Sequence, residues 1–445
     1  MEFTYVKSGI NKVRRYALQK ILESKLFKSF LLIFSGQGVC SVFGLISTII
    51  IINGIGAEKN GVIIMAQTYS MMFYSFFSFK SFQGLIKYLT KSLKNSNMEE
   101  AKMYIKWSIV LDIFSLVIAI IFGFIFIDLF IKIMDWPNNV KVYLQMYILT
   151  LGIYIQGSTM GILRTFEKYN YVVAAQLIAT LIKLIGFGFM FIIKADMLGY
   201  FVFEMIYVLI YNLLLIFYTA IVLKENDLLD FYKVKLRVDK SYFKFSFYSN
   251  ITSTIDLPIN YIAQFIINKY LGFTITTVYS VFEKLGVIIN KLGEPISQIV
   301  YPEMNKLVND KKYKEARKLS DRLEKGMTII FIFVCIGVLL TYKYWFHIFF
   351  DDGYRNLFPF ILYLAFISYT NGTSGLHSLF MAMGYIKYNL PILLVINIIY
   401  LLIIFVLIQL LGLTGVIIAY FIQAVLVVIT KKLMMRFNNY AIKED

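Results

Sequence analysis

The sequence predicts an all-α polytopic membrane protein: twelve transmembrane helices in two six-helix bundles, related by a pseudo-two-fold axis along the membrane normal, with both termini cytoplasmic. Three observations predict it. First, 59% of the 445 residues are apolar and 16% charged, against roughly 45–50% and about 25% in soluble domains. Mean hydropathy is +0.70, and a soluble enzyme is excluded. Second, apolar runs of the ~20 residues needed to cross a bilayer recur twelve times. Third, the net charge of +17 is sorted along the chain: 33 Lys and Arg fall in alternate, inner segments, 7 in the outer loops and 4 inside spans. Cytoplasmic loops collect Lys and Arg, so this excess sets orientation and no nucleic-acid partner is expected.

Residues 1–28 form a basic cytoplasmic segment (Lys7, Lys12, Arg14, Arg15, Lys20, Lys25, Lys28). They lack the short basic region, short apolar core and small-residue cleavage site of a signal peptide, so the first apolar run reads as a retained anchor. The N-terminal bundle, 29–222, holds spans near 29–52, 62–85, 108–130, 142–162, 171–193 and 200–222. A cytoplasmic linker, 223–245, leads to the C-terminal bundle, 246–431, with spans near 246–268, 275–298, 327–346, 358–380, 390–411 and 414–431. A cytoplasmic tail, 432–445, closes the chain. The outer loops are all short, leaving no domain there to house an enzyme. The charged inner loop 299–326 reads as an amphipathic helix on the inner leaflet.

The halves echo each other. Ile55-Gly56 between spans one and two matches Leu271-Gly272 between seven and eight. Glu100-Ala101-Lys102 before span three matches Glu315-Ala316-Arg317 before span nine, and Lys168-Tyr169-Asn170 before span five matches Lys387-Tyr388-Asn389 before span eleven. The three pairs keep the same order at offsets of 216, 215 and 219. Six spans per half give repeats of the same orientation, an arrangement in which transporters place substrate between the halves and rock one half against the other.

Ionisable residues inside spans cost roughly 2.5–3.5 kcal/mol on insertion scales and mark functional candidates. Lys183 sits mid-span in helix five. Helix eight carries Glu283, Lys284 and Lys291, the two lysines seven residues apart and so on one face. Helix seven carries Asp256, Pro258 and Asn260. Lys80 lies towards the inner end of helix two, where snorkelling competes with a cavity role. Together these residues read as a polar cavity between the halves, with Lys183, Lys284, Lys291 and Lys80 for an anionic group and Asp256 and Glu283 for charge balance or coupling to a proton or sodium gradient. The competing reading makes them structural ion pairs. Gln37, between Gly36 and Gly38, is a cavity-facing amide, because small neighbours allow close helix approach. Arg164, at the inner end of helix four, is a topology residue or the point where substrate comes in. Asp112 and Glu204 read as interfacial, and His377 as a packing residue. Cys40 and Cys335 lie in apolar runs, and His347 and His377 are far apart, so neither a disulfide framework nor a metal site is expected. No cofactor is expected.

Phe34-Ser35-Gly36-Gln37-Gly38, followed by Asn53-Gly54-Ile55-Gly56-Ala57-Glu58-Lys59-Asn60-Gly61, resembles the start of polysaccharide transporter family proteins. Met383-Gly384-Tyr385 ahead of Lys387-Tyr388-Asn389, and Leu411-Gly412-Leu413-Thr414-Gly415, resemble that family's C-terminal half. The resemblance runs from about 25 to 433 and rests on the order of the motifs. It implies an O-antigen or capsule repeat-unit flippase of the Wzx type, within the MATE-like multidrug/oligosaccharidyl-lipid/polysaccharide superfamily. The implied substrate is an undecaprenyl-diphosphate-linked oligosaccharide moved from the inner to the outer leaflet of a bacterial plasma membrane. The implied partners are this polyprenyl-linked lipid, membrane lipids, and polysaccharide polymerase and chain-length proteins. Family members keep a cationic central cavity, which the lysines of helices two, five and eight supply here. A multidrug or other small-solute cation-coupled exporter of the same superfamily is the nearest rival, though it favours acidic and aromatic cavities. A membrane polysaccharide polymerase or glycosyltransferase is a further rival, without the large outer loop or catalytic loop motif it needs.

Overall fold

The computed structural model describes residues 25–79, 81–255, 257–349 and 356–437. Lys80 and Asp256 lie outside the described residues, as does the side chain of Asn260. Every described element is helical. The N-terminal half comprises α1 (Lys25–Phe77), α2 (Ser81–Lys94), α3 (Met98–Ile125), α4 (Ile127–Met134), α5 (Val140–Leu149), α6 (Gln156–Thr165), α7 (Tyr169–Ile192) and α8 (Met197–Glu225). The rest comprises α9 (Lys240–Thr254), α10 (Ala263–Asn309), α11 (Tyr313–Phe349), α12 (Phe358–Gly372), α13 (Ser374–Ala382), α14 (Ile386–Leu411) and α15 (Leu413–Phe437).

Nine stretches are long and apolar enough to cross a bilayer among the described residues. They accommodate the twelve crossings because α1 and α10 each turn back on themselves, while the tenth crossing is broken at Thr373 between α12 and α13. The turn in α1 is at Gly56 (φ 84°, ψ 161°) and that in α10 at Gly272 (φ 79°, ψ 179°). This is backbone that only glycine adopts without strain. The glycines paired in the repeat therefore occupy the same outer turn. The second pair agrees as well: Ser96 (φ 53°) and Lys311 (φ 60°) end the preceding helices, and Ala101 and Ala316, each five residues on, are both fully buried. The third pair is out of step, since α7 starts at Tyr169 whereas α14 starts at Ile386, two residues before Tyr388.

Span seven differs from a simple crossing. Its inner half, α9, packs on α2 and on the end of α1, and Tyr242 is buried against Tyr88 and Tyr104 of the N-terminal half. The chain then passes through a π-turn, Pro258–Ile262, before α10 rejoins the C-terminal half. Part of the segment expected in the C-terminal bundle thus packs on the N-terminal half, and Pro258 lies at the discontinuity between the two parts of the span.

Three cores position the site. One joins both halves through their outer parts, including Ile63, Tyr69, Trp136 and Tyr200 from the first and Phe265, Phe282, Phe360 and Ile417 from the second. At the inner end each half has its own core: Leu85, Leu89, Tyr104, Ile162 and Tyr242 in the first, and Met304, Ala316, Leu379, Phe380 and Met435 in the second. The halves therefore share one core outside and keep separate cores inside.

Candidate functional site

Between the halves lies a cavity of about 390 Å³, lined from the first half by Ser41, Gly44, Ile64, Gln67, Thr68 and Met71 and from the second by Tyr261, Gln264, Ser280, Glu283, Lys284 and Val287. Glu283, Lys284 and Val287, three, four and seven residues after Ser280, share one face of α10, as i, i+3, i+4, i+7 spacing requires. A second space of about 280 Å³, on the cytoplasmic side, shares Met71 and Tyr261 with the first and adds Tyr74, Ser75, Ser78, Tyr154, Gln156 and Arg164. The two form one inward path, a vestibule and a deeper cavity.

The lysines of α10 reach across to the first helix. Lys284 Nζ donates to Thr48 Oγ1 at 2.7 Å. Lys291 Nζ donates to Ser41 Oγ at 2.7 Å and to the Gln37 carbonyl at 3.1 Å. Thr48 and Ser41 are seven residues apart, as are the lysines, so two antiparallel helices meet along a two-turn seam. Gln37 is thus brought to Lys291, through its backbone oxygen. Among the described residues no carboxylate stands within 4 Å of Lys284, whose partner is a neutral hydroxyl.

Glu283 is held differently. Gln264 Nε2 donates to its Oε2 at 2.7 Å, and Thr68 Oγ1 donates to Gln264 Oε1 at 2.6 Å, which ties the carboxylate to α1 in the opposite half. Arg164 lines the vestibule with its guanidinium over the Phe82 ring at 5.4 Å. An arginine there retains its planar fork of donors.

Lys183 is not among the cavity-lining residues. Its Nζ lies 2.6 Å from Glu204 Oε2, with side chains 17% and 7% exposed, and 5.0 Å from the Tyr207 ring. Glu204, expected at the interface, is instead buried between α7 and α8. Its carboxylate neutralises Lys183, which corrects the expectation that Glu204 faces headgroups. Asp112 is also buried: Ser81 Oγ donates to it at 2.5 Å, Ser158 N at 2.6 Å and Ser158 Oγ at 2.7 Å, pinning α2, α3 and α6 together. Lys431, placed in the inner charge count, is 5% exposed and 2.8 Å from His377 Nδ1. The polar partners that sequence reasoning missed are Thr48, Ser41, Thr68 and Gln264. A seven-residue recurrence of hydroxyls matching that of the lysines was the available signal for the first two.

The outer face is closed by hydrogen bonds between the halves. Trp136 Nε1 donates to Asn268 Oδ1 at 2.5 Å, Thr277 Oγ1 to the Ala57 carbonyl at 2.6 Å, and Lys269 Nζ to the Ile133 carbonyl at 2.5 Å. A Cβ on Gly61 would lie 2.2 Å from the Phe273 carbonyl oxygen, so the helices touch backbone to backbone there.

No family model matches the chain. Inner membrane protein YghQ of Escherichia coli is 22% identical over 142 residues, 32% of this chain and 40% of that protein, so the chain matches about two-fifths of its curated relative's length. Solved structures align over nearly the whole chain. An inward-facing multidrug resistance MATE family transporter of the MOP superfamily gives a TM-score of 0.75 at 14% identity, covering 91% of this chain and 96% of that one. An outward-facing structure described in the same words gives 0.64 at 14%, covering 96% and 98%. The Vibrio cholerae MATE transporter VcmN gives 0.62 at 11%, covering 94% and 98%. This multi-pass membrane protein has the fold of the MATE transporters.

Proposed function

We propose that the protein is an alternating-access transporter that flips a polyprenyl-diphosphate-linked oligosaccharide from the inner to the outer leaflet. The observation that carries the reading is the seam of Lys284 and Lys291 on Thr48, Ser41 and the Gln37 carbonyl, beside an inward-opening cavity. Lysine is a compact cation suited to phosphate, and the neutral hydroxyl that holds Lys284 yields to an incoming diphosphate more readily than a carboxylate does. Arg164 meets the anionic head in the vestibule, and the lysines take it deeper. Because both lysines bond across the halves, an anion that takes their donors also breaks these bonds between α1 and α10. Binding and rocking are thereby linked. The separate inner cores and the shared outer core support an inward-open resting state, as does the higher TM-score to the inward-facing neighbour.

Glu283 favours a second reading, a cation-coupled multidrug exporter. A carboxylate held on Gln264 beside Tyr261 suits a cationic solute or a coupling proton or sodium ion. Vesicles containing purified protein separate the two. A fluorescent undecaprenyl-diphosphate oligosaccharide becomes accessible to an impermeant quencher under the first reading. Gradient-driven movement of a cationic dye, with the lipid static, overturns it in favour of the second.

A further inference from the structure

The two inner cores part on their lipid-facing flank as well as at the cytoplasmic mouth. There a groove of about 430 Å³ is bounded by Phe76 of α1, Ile251 and Thr254 of α9, and Leu394, Asn397 and Ile398 of α14. Its volume falls within the ~300–1,000 Å³ typical of small-ligand sites. Its rim is open: Phe76 and Ile398 are each 54% exposed and Leu394 46%. Leu394 and Ile398 lie roughly 12–18 Å along α14 from its start at 1.5 Å per residue, near the middle of a ~30 Å hydrocarbon core. The groove therefore opens at the depth of lipid chains, below the headgroups.

Two features distinguish it from ordinary relief on a lipid-facing surface. The first is its floor. Asn397 Nδ2 donates at 2.8 Å to the Ile255 carbonyl beside the break in span seven, and Gln423 Nε2 donates at 3.2 Å to Asn397 Oδ1. Both amides are buried, at 2% and 9% exposure. A carbonyl left unpaired in hydrocarbon is costly. These bonds satisfy it within the protein, and on the same wall Thr254 Oγ1 donates to Asn250 Oδ1 at 3.0 Å, so these polar groups of the lining are already bonded to one another. The second feature is continuity. Phe76 adjoins Ser75 and is two residues from Ser78, both of which line the vestibule. Within the vestibule lining Ser75 Oγ and Tyr261 OH meet at 3.0 Å, joining the first half to the π-turn.

We propose that the groove seats the polyprenyl chain of the substrate while its anionic head occupies the vestibule and cavity, the Ser75–Tyr261 contact parting to let the junction of the two pass. The inference rests on the lipid-linked reading of the cavity. A head drawn into protein while its chain stays in lipid needs an opening on this flank, and the groove lies one helix wall from the vestibule.

The test uses the full chain in nanodiscs of phosphatidylethanolamine and phosphatidylglycerol, with p-benzoylphenylalanine replacing Leu394 or, as control, Phe217. Phe217 is 59% exposed near the inner end of α8. Undecaprenyl diphosphate is added at rising mole fraction. A saturable prenyl cross-link at 394, with a merely proportional one at 217, is the expected result; proportional cross-linking at both positions overturns the proposal. Thr254→Trp fills the groove and is expected to abolish the saturable cross-link and oligosaccharide translocation, while Thr254→Ala retains both. Translocation at the wild-type rate by well-folded Thr254→Trp also overturns it. The two readings fail separately. Wild-type protein that translocates lipid-linked oligosaccharide without the saturable cross-link refutes the groove alone. A saturable cross-link in protein that translocates no oligosaccharide sustains the groove and refutes the flippase.

Discussion

Lys183 and Glu204 form an ion pair at 2.6 Å inside the N-terminal half, on neighbouring helices α7 and α8. Removing one partner of a buried pair strands the other charge and costs about 3–5 kcal/mol. Lys183→Ala and Glu204→Ala are each expected to lower the thermal stability of the purified protein sharply. The double variant should recover much of the loss, because no charge is left unpaired. Additive losses in this cycle would show that the pair is not coupled. A lysine serving substrate in the cavity predicts instead a variant of normal stability that fails only in transport.

Gly56 and Gly272 supply a test of the duplication. A Cβ at either would meet nothing within 4 Å, so alanine there probes backbone strain with no steric clash. Each substitution is expected to cost about 1–3 kcal/mol, with similar losses at the two sites. A large loss at one and none at the other would mean the two outer turns are not equivalent.

The outer seam predicts an accessibility change. Trp136→Phe removes the indole donor and leaves Asn268 Oδ1, 3% exposed as a residue, without it; an orphaned buried acceptor costs about 1–3 kcal/mol. The loss falls on the outward-closed state alone, so the outward-open population rises. Ser280→Cys, inside the cavity, should then react faster with an impermeant maleimide added outside. An unchanged labelling rate would remove Trp136 from the gate.

The linker predicts a pH effect. Burial works to raise the pKa of Asp239, but hydrogen bonds from Tyr104 OH and from the backbone N–H groups of Ser241 and Tyr242 outweigh it and hold the carboxyl below its ordinary value. A depressed folded pKa stabilises above the unfolded value, near 3.9, and that contribution is lost as pH falls through the folded one. Amide exchange at Ser241 and Tyr242 should therefore be protected at neutral pH and lose extra protection in acid. Asp239→Asn should flatten the dependence at a cap cost of about 1 kcal/mol. Parallel pH profiles in the two proteins would contradict the capping role.

Hydropathy made the twelve crossings legible, charge supplied the expected orientation, and glycine marked the turns at Gly56 and Gly272 because few other residues fit that backbone. Pairing inside the membrane was not legible. Helices such as α7 and α8 are apolar around most of their circumference, so no periodicity tells which face turns inward. Glu204 therefore read as interfacial from its nearness to a boundary, and Lys183 as a cavity residue from its depth. The seven-residue spacing of Lys284 and Lys291 fixed their common face, but its match to Ser41 and Thr48 emerges only when α1 and α10 are laid antiparallel. The position of α9 was hidden for another reason: a break in span seven reassigns half a helix to the neighbouring bundle without altering its composition.

The central claim is that a cation seam between the halves receives a diphosphate head, and Lys284 tests it most directly. Lys284→Gln keeps the reach to Thr48 and removes the charge. Translocation of undecaprenyl-diphosphate oligosaccharide in vesicles should fall by about two orders of magnitude, the ~2.7 kcal/mol that a charge-assisted hydrogen bond contributes, while protein yield and thermal stability hold. Translocation at the wild-type rate by Lys284→Gln would contradict the account.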